Sequence, residues 1–334
     1  MARIFSGVQP SGSLHLGNYL GAFRQWVEGQ RLDDGIFCVV DLHALTVVTP
    51  PSPEQLRTRT LETAAGLLAA GLDPKLCTIF LQSHVAAHAE LSWLLECTAS
   101  YGELRRMTQF KEKSRGQAAV RASLFTYPAL MAADILLYDT ERVPVGDDQR
   151  QHIELTRNLA IRFNAAYGET FVVPEIELPR FGARVMDLQH PEEKMAKTAT
   201  SPGGTIAIDD PPEEIERKIR RAVTDAETTV RYDRDHKPGV SNLLELLAAA
   251  TGESPAAAAA RYRNYGTLKT DVAAAVVELL RPVRERYFEL IGDPGAVTAV
   301  LTDGADRATA IAAVTLERAQ RAIGLLPRPA ETPD

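Results

Sequence analysis

Three groups of residues in this chain have the types and spacing to do chemistry. The first is the turn Gly7-Val8-Gln9-Pro10-Ser11-Gly12 with His15-Leu16-Gly17-Asn18 after it. Its glycines permit close backbone approach, Ser11 and Ser13 offer hydroxyls, and a helix beginning near Leu14 or His15 would aim unpaired N–H groups at a docked anion. His15 and Asn18 add an imidazole and a carboxamide one turn apart. The second group, Lys194-Met195-Ala196-Lys197-Thr198, holds two ammonium groups in a Pro- and Gly-flanked stretch. Such a loop can clamp a triphosphate and stabilise the charge on departing pyrophosphate, which is electrostatic catalysis without a covalent nucleophile. The third is Asp134, a carboxylate inside the apolar helical run Met131 to Leu137, where it is costly unless partnered. Read singly, each has a plainer explanation: a tight turn, a solvated charged loop beside Glu192 and Glu193, and an aspartate satisfied within the core.

The elements that must position these groups follow a regular order. Short branched apolar runs at Arg3 to Ser6, Ile36 to Asp41 and Leu76 to Leu81 predict strands, and they alternate with helical patterns. The helix between the second and third opens at Ser52-Pro53-Glu54-Gln55, with Pro at its first position and a capping-box Gln, and closes at Gly71. This is the βαβαβ order of a doubly wound α/β fold, a Rossmann-like parallel sheet. After Pro202-Gly203-Gly204 the strand patterns stop. Helical spacing then runs through Glu213 to Val223, Leu243 to Ala250, Val272 to Leu280 and Ala308 to Ile323, with loops expected at Pro238-Gly239 and Gly292-Asp293-Pro294-Gly295 and a further helix starting at Ala256 to Ala260. The expected organisation is a catalytic domain over residues 1–204 and an all-α domain over 205–334.

Composition narrows the function classes. With 334 residues, 45% apolar and 24% charged, the chain has ample means to bury a core. Its 37 basic and 44 acidic residues give a net charge of −7, so no global field favours a polyanion such as DNA, and any such contact must be local. The start of the sequence lacks the apolar stretch of a signal peptide, and no apolar run is long enough to span a membrane, so a cytosolic location is expected. Cys38, Cys77 and Cys97 match no metal-ligand spacing and read as small core residues; no protein-bound metal is expected. The GxGxxG, Walker and GxSxG signatures are absent.

Taken together, the first two groups resemble the paired signatures of the class I aminoacyl-tRNA synthetases. Gln9-Pro10-Ser11-Gly12 with His15-Leu16-Gly17-Asn18-Tyr19 resembles the HIGH motif in its tryptophanyl form. Lys194 to Thr198 resembles Lys-Met-Ser-Lys-Ser with Ala196 in place of the first serine. Between them, Tyr127 to Tyr138, Val143-Pro144-Val145-Gly146-Asp147-Asp148-Gln149, Arg106 to Lys113 and Asp41-Leu42-His43-Ala44 are similar to bacterial enzymes of the tryptophanyl branch. The resemblance runs from Ile4 to about Leu326. The tyrosyl branch shares fold and signatures, but the Met131-to-Tyr138 stretch and the length favour tryptophan; a non-charging tryptophan-binding paralogue is the alternative from another class.

This resemblance implies an enzyme that activates L-tryptophan with ATP, Mg²⁺ arriving with the nucleotide, and then charges tRNA. It assigns Asp134 to the indole N–H, Met131 to the ring, and Phe5, His43, Gln109, Tyr127 and Gln149 to the rest of the amino-acid pocket. Gln9, Pro10, Ser11, Gly17 and Asn18 would cradle adenosine and phosphate, Gly146, Asp147 and Asp148 the ribose, and Val185 the adenine through its backbone. Lys113, Lys194 and Lys197, within the loop Lys194-Met195-Ala196-Lys197-Thr198, would carry pyrophosphate charge, with His15 and Gln9 also catalytic. Losing one loop hydroxyl at Ala196 weakens about one hydrogen bond, worth about 0.5–1.5 kcal/mol. The helical part would read the anticodon, with Arg217, Lys218, Arg220, Arg221, Arg281, Arg284 and Arg286 as its local positive charge, and the family's homodimer is expected.

Overall fold

The computed structural model describes all residues except 48, 118, 178–184, 197–202 and 327–334, and the backbone alone of Asp147. Five parallel strands form one sheet: β1 (Arg3–Val8), β2 (Asp34–Val39), β3 (Thr78–Leu81), β4 (Arg142–Pro144) and β5 (Glu175–Glu177), in the order β3-β2-β1-β4-β5. Ile36, Phe37, Cys38 and Val39 of β2 are all fully buried, as a central parallel strand covered on both faces requires. The chain builds outward from β1 through β2 to β3, then returns to β1's other side with β4. That reversal puts a crevice at the carboxyl ends of β1 and β4, where doubly wound sheets bind ligands.

β1 runs two residues further than its apolar pattern predicts, because Gly7 and Val8 keep pairing with Cys38 and Val39. The following helix is then interrupted: α1 (Leu16–Asn18) passes through a π turn at Tyr19–Phe23 into α2 (Arg24–Gly29). α3 (Pro53–Ala69) starts with the expected capping box, Gln55 N–H donating to Ser52 Oγ at 3.2 Å and Ser52 N–H to Gln55 Oε1 at 3.0 Å. Next come α4 (Ala87–Thr98), α5 (Tyr101–Arg106), α6 (Thr108–Ser114), α7 (Ala122–Leu136) and α8 (Arg150–Tyr167). The C-terminal part is helical among its described residues: α9 (Pro212–Arg220), α10 (Pro238–Thr251), α11 (Pro255–Ala259), α12 (Tyr265–Gly292) and α13 (Pro294–Ile323).

Two expected loops are instead helix starts. Pro238-Gly239 forms the first turn of α10, where a proline has no needed N–H to lose, and Pro294 does the same for α13. The second loop shrinks to Asp293, whose carboxylate accepts from Ala296 N–H at 3.1 Å. Cys38 and Cys77 are buried as expected, but Cys97 is exposed on α4.

Each face of the sheet has its own core, and the C-terminal helices contribute to both. Leu14, Phe37 and Ile79 pack with Leu243 of α10 and Val272 and Leu280 of α12. On the other face Phe5, Ile36 and Phe80 pack with α4, α7 and α8 and with Ala308, Ala312 and Ala319 of α13. α13 lies along the otherwise open edge of β3, which shields that edge from pairing with another chain. Arg307 donates to the carbonyls of Pro74 (3.0 Å) and Cys77 (3.3 Å), and Arg318 to that of Thr170 at 2.7 Å.

Gly304 is the point of closest approach: a Cβ there would lie 1.8 Å from the Ile79 carbonyl oxygen. Gly-to-Ala in a helix normally gains about 0.8–1 kcal/mol, whereas forcing an atom into packed backbone costs about 1–3 kcal/mol or more. Gly304→Ala should therefore lower stability by about 1–2 kcal/mol in urea unfolding, while unchanged or raised stability would show that α13 does not press on β3.

Candidate active site

A cavity of about 310 Å³ opens in the crevice beyond β1 and β4. Phe5, Gln9, His43, Gln109, Lys113, Tyr127, Met131, Asp134 and Gln149, widely separated in sequence, all line it, together with Val40, Val143 and Val145. Its walls are thus a mixture of apolar surface and a few convergent polar groups, the usual make-up of a small-molecule site.

Asp134, on α7, is almost completely buried and is held by three donors. Oδ1 accepts from Gln82 Nε2 at 2.7 Å and His88 Nδ1 at 2.6 Å, and Oδ2 accepts from His43 Nε2 at 2.9 Å. Burial pushes the carboxyl pKa up, but the hydrogen bonds from His43 and His88 outweigh it and hold Asp134 down at about 2. A carboxylate has about four acceptor positions, and three are used by these donors, leaving one on Oδ2. The aspartate is therefore partnered within the core and still able to accept one more N–H from the cavity.

Behind it lies a layer that sequence reasoning missed. His88 Nε2 meets the Tyr138 hydroxyl at 2.7 Å, so with Nδ1–H given to Asp134 the imidazole accepts the phenol proton. Tyr138 in turn stacks on Phe5, rings 5.6 Å apart and 7° from parallel. The available signal was Gln82-Ser83-His84 directly after β3, since polar residues at a strand's carboxyl end face the ligand crevice. Nothing local marks His88.

A second chain of bonds lines the cavity beyond His43, whose ring meets that of Tyr127 edge-on. Tyr127 Oη lies 2.7 Å from His152 Nε2 and 3.2 Å from Gln109 Oε1, which also accepts from Lys113 Nζ at 3.0 Å. His152 Nδ1 is buried without a partner among the described residues. An orphaned acceptor is cheaper than an orphaned N–H, so the proton sits on Nε2 and the donors run from His152 to Tyr127 to Gln109. Burial, then the nearby Lys113 and His43 charges, lower the His152 pKa to about 4. Burial raises Tyr127 to about 12 and lowers Lys113.

The two signature segments meet outside the cavity. Gln9 Nε2 donates to the His43 carbonyl at 2.8 Å, the Ser11 N–H donates to the Gln9 carbonyl at 2.8 Å, Pro10 between them is buried, and Gly12 takes a left-handed φ of 88°. His15 is the N-cap of α1 and its backbone N–H donates to Asn18 Oδ1 at 3.1 Å. At Gly17 an added Cβ would lie 2.9 Å from His15 Nδ1 and 3.6 Å from Met195 Cβ, so the second segment packs against the first where a side chain would intrude. Met195 is buried, its N–H donating to the Val185 carbonyl at 3.0 Å, and Met186 pairs with Lys194 across a narrow antiparallel bridge. Thr205 Oγ1 donates to the Ala196 carbonyl at 3.3 Å. Lys197 and Thr198 lie outside the described residues.

At the end of β4, a Cβ on Gly146 would lie 2.7 Å from Asp148 Oδ1, and Asp148 Oδ2 accepts from Gln149 Nε2 at 2.9 Å. The cations of the helical part are largely paired internally. Arg217 bonds Glu214, Lys218 bonds Asp210, and Arg281 lies between Glu278 and Glu285. Among the described residues no helix is long and apolar enough to cross a membrane.

Fold and site together are those of a doubly wound α/β protein with a small-molecule cavity in the crevice at the carboxyl ends of its strands. The family model for class I tRNA synthetases of the W and Y group matches residues 1–281. Tryptophan–tRNA ligase 1 of Streptomyces avermitilis is 56% identical over 331 residues, covering 98% of this chain and 99% of its own length. Tryptophanyl-tRNA synthetase from Mycoplasma pneumoniae has a crystal structure with a TM-score of 0.90 at 36% identity, over 97% of this chain and 98% of that one. The enzyme from Campylobacter jejuni, solved with ADP and tryptophan, gives 0.84 at 33% identity over 97% and 100%. The chain belongs to the class I tRNA synthetases of the tryptophan and tyrosine group.

The His152 environment has a measurable consequence. A histidine at about 4 in the fold and about 6.5 unfolded adds stability above pH 6.5 that is lost as pH falls towards 4, up to about 3 kcal/mol. Asp134 acts only lower, between about pH 4 and 2. Urea unfolding of His152→Gln should show a flattened slope between pH 6.5 and 4, and an unchanged slope would place the imidazole in a different environment.

Proposed function

We propose that this chain is a tryptophan–tRNA ligase, and the observation that carries the reading is the spare acceptor of ionised Asp134 at the floor of the cavity. An indole N–H fills that position, whereas phenylalanine would leave a buried carboxylate position unpaired, a large penalty in a polar-lined pocket. Met131 and Phe5 contact the ring, and His43, Gln109, Tyr127 and Gln149 fix the ammonium and carboxylate. ATP lies over Gln9, Pro10, Ser11, Gly17 and Asn18, its ribose at Gly146, Asp147 and Asp148 and its adenine at the Val185 backbone, with magnesium entering as part of the nucleotide.

In the first step a tryptophan carboxylate oxygen attacks the α-phosphorus in line, forming the mixed anhydride as the bond to pyrophosphate breaks. Lys113, Lys194 and Lys197 neutralise the leaving group, and His15 and Gln9 hold the reacting phosphate. In the second, a hydroxyl of the terminal tRNA ribose attacks the tryptophanyl carbonyl and AMP leaves. Residues 1–204 perform this chemistry and the helices of 205–334 read anticodon bases by stacking and polar contacts. The exposed Trp93 and Tyr101, on neighbouring helices, support a homodimer, and the compartment is the cytosol.

The test is ATP–pyrophosphate exchange across all twenty amino acids, followed by acylation of total tRNA; exchange with tryptophan alone plus charging supports the reading, and tryptophan binding with neither reaction makes the chain a sensor. Asp134→Asn should cut kcat/KM for tryptophan about a hundredfold or more, and unchanged discrimination against phenylalanine and tyrosine would refute that assignment. Lys197→Ala should reduce adenylate formation with tryptophan affinity nearly unchanged, and equal loss of both would remove its role in pyrophosphate departure.

A further inference from the structure

The hairpin carrying Val185 and Lys194 is tied at its turn by backbone bonds, Val223 N–H to the Leu188 carbonyl at 2.7 Å and Leu188 N–H to that of Gly204 at 2.9 Å, and along its outer edge by the side chain of Asn242. In its narrow ladder, Met195 N–H donates to the Val185 carbonyl at 3.0 Å and Asp187 N–H to the Glu193 carbonyl at 2.9 Å. Those bonds point Val185 and Asp187 inward, so the N–H and C=O of Met186 between them face the other way. Both are taken by Asn242 of α10: Met186 N–H donates to Oδ1 at 3.0 Å, and Nδ2 donates to the Met186 carbonyl at 3.0 Å. A carboxamide is the side chain that offers a donor and an acceptor side by side, so Asn242 stands in for a neighbouring strand.

Asn242 is itself rigidly held. It is 3% exposed and lies in the second turn of α10, an interior position that asparagine does not favour on propensity. The preceding turn is locked: a Cβ on Gly239 would lie 2.1 Å from the Val223 carbonyl oxygen, and Ser241 Oγ accepts from Asp233 N–H at 2.9 Å. Lys237, buried just before the helix, bonds Asp225, Glu227 and Tyr265. The clasp therefore joins a fixed point in the helical part to the segment that packs through Met195 against Gly17.

We propose that Asn242 is a positioning residue for nucleotide use: its pair of hydrogen bonds with the Met186 backbone sets the placement of the Val185 backbone and of Lys194 against ATP. This rests on the reading of that segment as part of the ATP site. Its effect is confined to the nucleotide, because neither Asn242 nor the hairpin lines the tryptophan cavity.

Exchange kinetics at varied ATP and at varied tryptophan test this in Asn242→Ala, which loses both bonds, and in Asn242→Asp, which keeps the shape and the acceptor but turns an oxygen towards the Met186 carbonyl. Both should raise KM for ATP about tenfold, as expected for partial loss of two hydrogen bonds, with KM for tryptophan within twofold. Combined with Lys194→Ala, the losses should multiply to less than their product, because both act through one segment. An ATP KM within twofold of wild type, or equal weakening of ATP and tryptophan, overturns the proposal. Should the alanine variant not fold, the aspartate variant decides. Wild-type protein run alongside separates the two levels: no tryptophan-dependent exchange there removes the functional reading itself, whereas normal wild-type exchange with unaffected variants removes only the role of Asn242.

Discussion

An ionised carboxylate buried in the core is expensive, and the structure around the cavity is arranged to hold one. Three donors converge on Asp134 from separate places: Gln82 after β3, His88 on α4 and His43 after β2. Removing any one would leave charge underpaired in low dielectric, where the cost runs to several kcal/mol. The positions of α4 and α7 over the sheet are therefore tied to one another through this group as well as through their shared apolar core. Tyr138 extends the same constraint to Phe5 on β1, so the ring wall and the carboxylate are set by one network.

The second organising contact is between the signature segments. Gly17 leaves the space into which Met195 packs, and the backbone of Leu14 to Leu16 pairs with Ile206 to Ile208, so the turn after β1 and the segment after the lysines are built against each other. That arrangement brings residues almost two hundred positions apart in sequence to one side of the cavity. The helical part supports it from behind through Asn242 and, at the far edge, covers β3 with α13.

Much of this was legible in the sequence where the signal is local. The capping box at Ser52 and Gln55, the fully apolar β2 and the alternation of strands and helices give the doubly wound sheet, and the motif resemblance picks out every predicted pocket residue that lines the cavity. Pro238-Gly239 and Pro294-Gly295 misled because Pro and Gly serve equally as loop residues and as the first turn of a helix, and only packing decides between them. Cys97 misled because its apolar neighbours on α4 point inward while it does not. Of the supporting layer only Gln82 carried a signal, its place at the carboxyl end of β3. His88 and Asp134 are 46 residues apart, and Asn242 and Met186 56, and no local pattern announces that they meet.

The ligand contact we propose is an indole N–H on the remaining acceptor position of ionised Asp134. The most direct measurement is the proton–nitrogen spectrum of tryptophan labelled with ¹⁵N at the indole nitrogen, bound to the protein at neutral pH. A strongly downfield indole proton that is protected from exchange with water is expected, with both features lost in Asp134→Asn. A bound indole N–H that resonates and exchanges as in free tryptophan would contradict this contact.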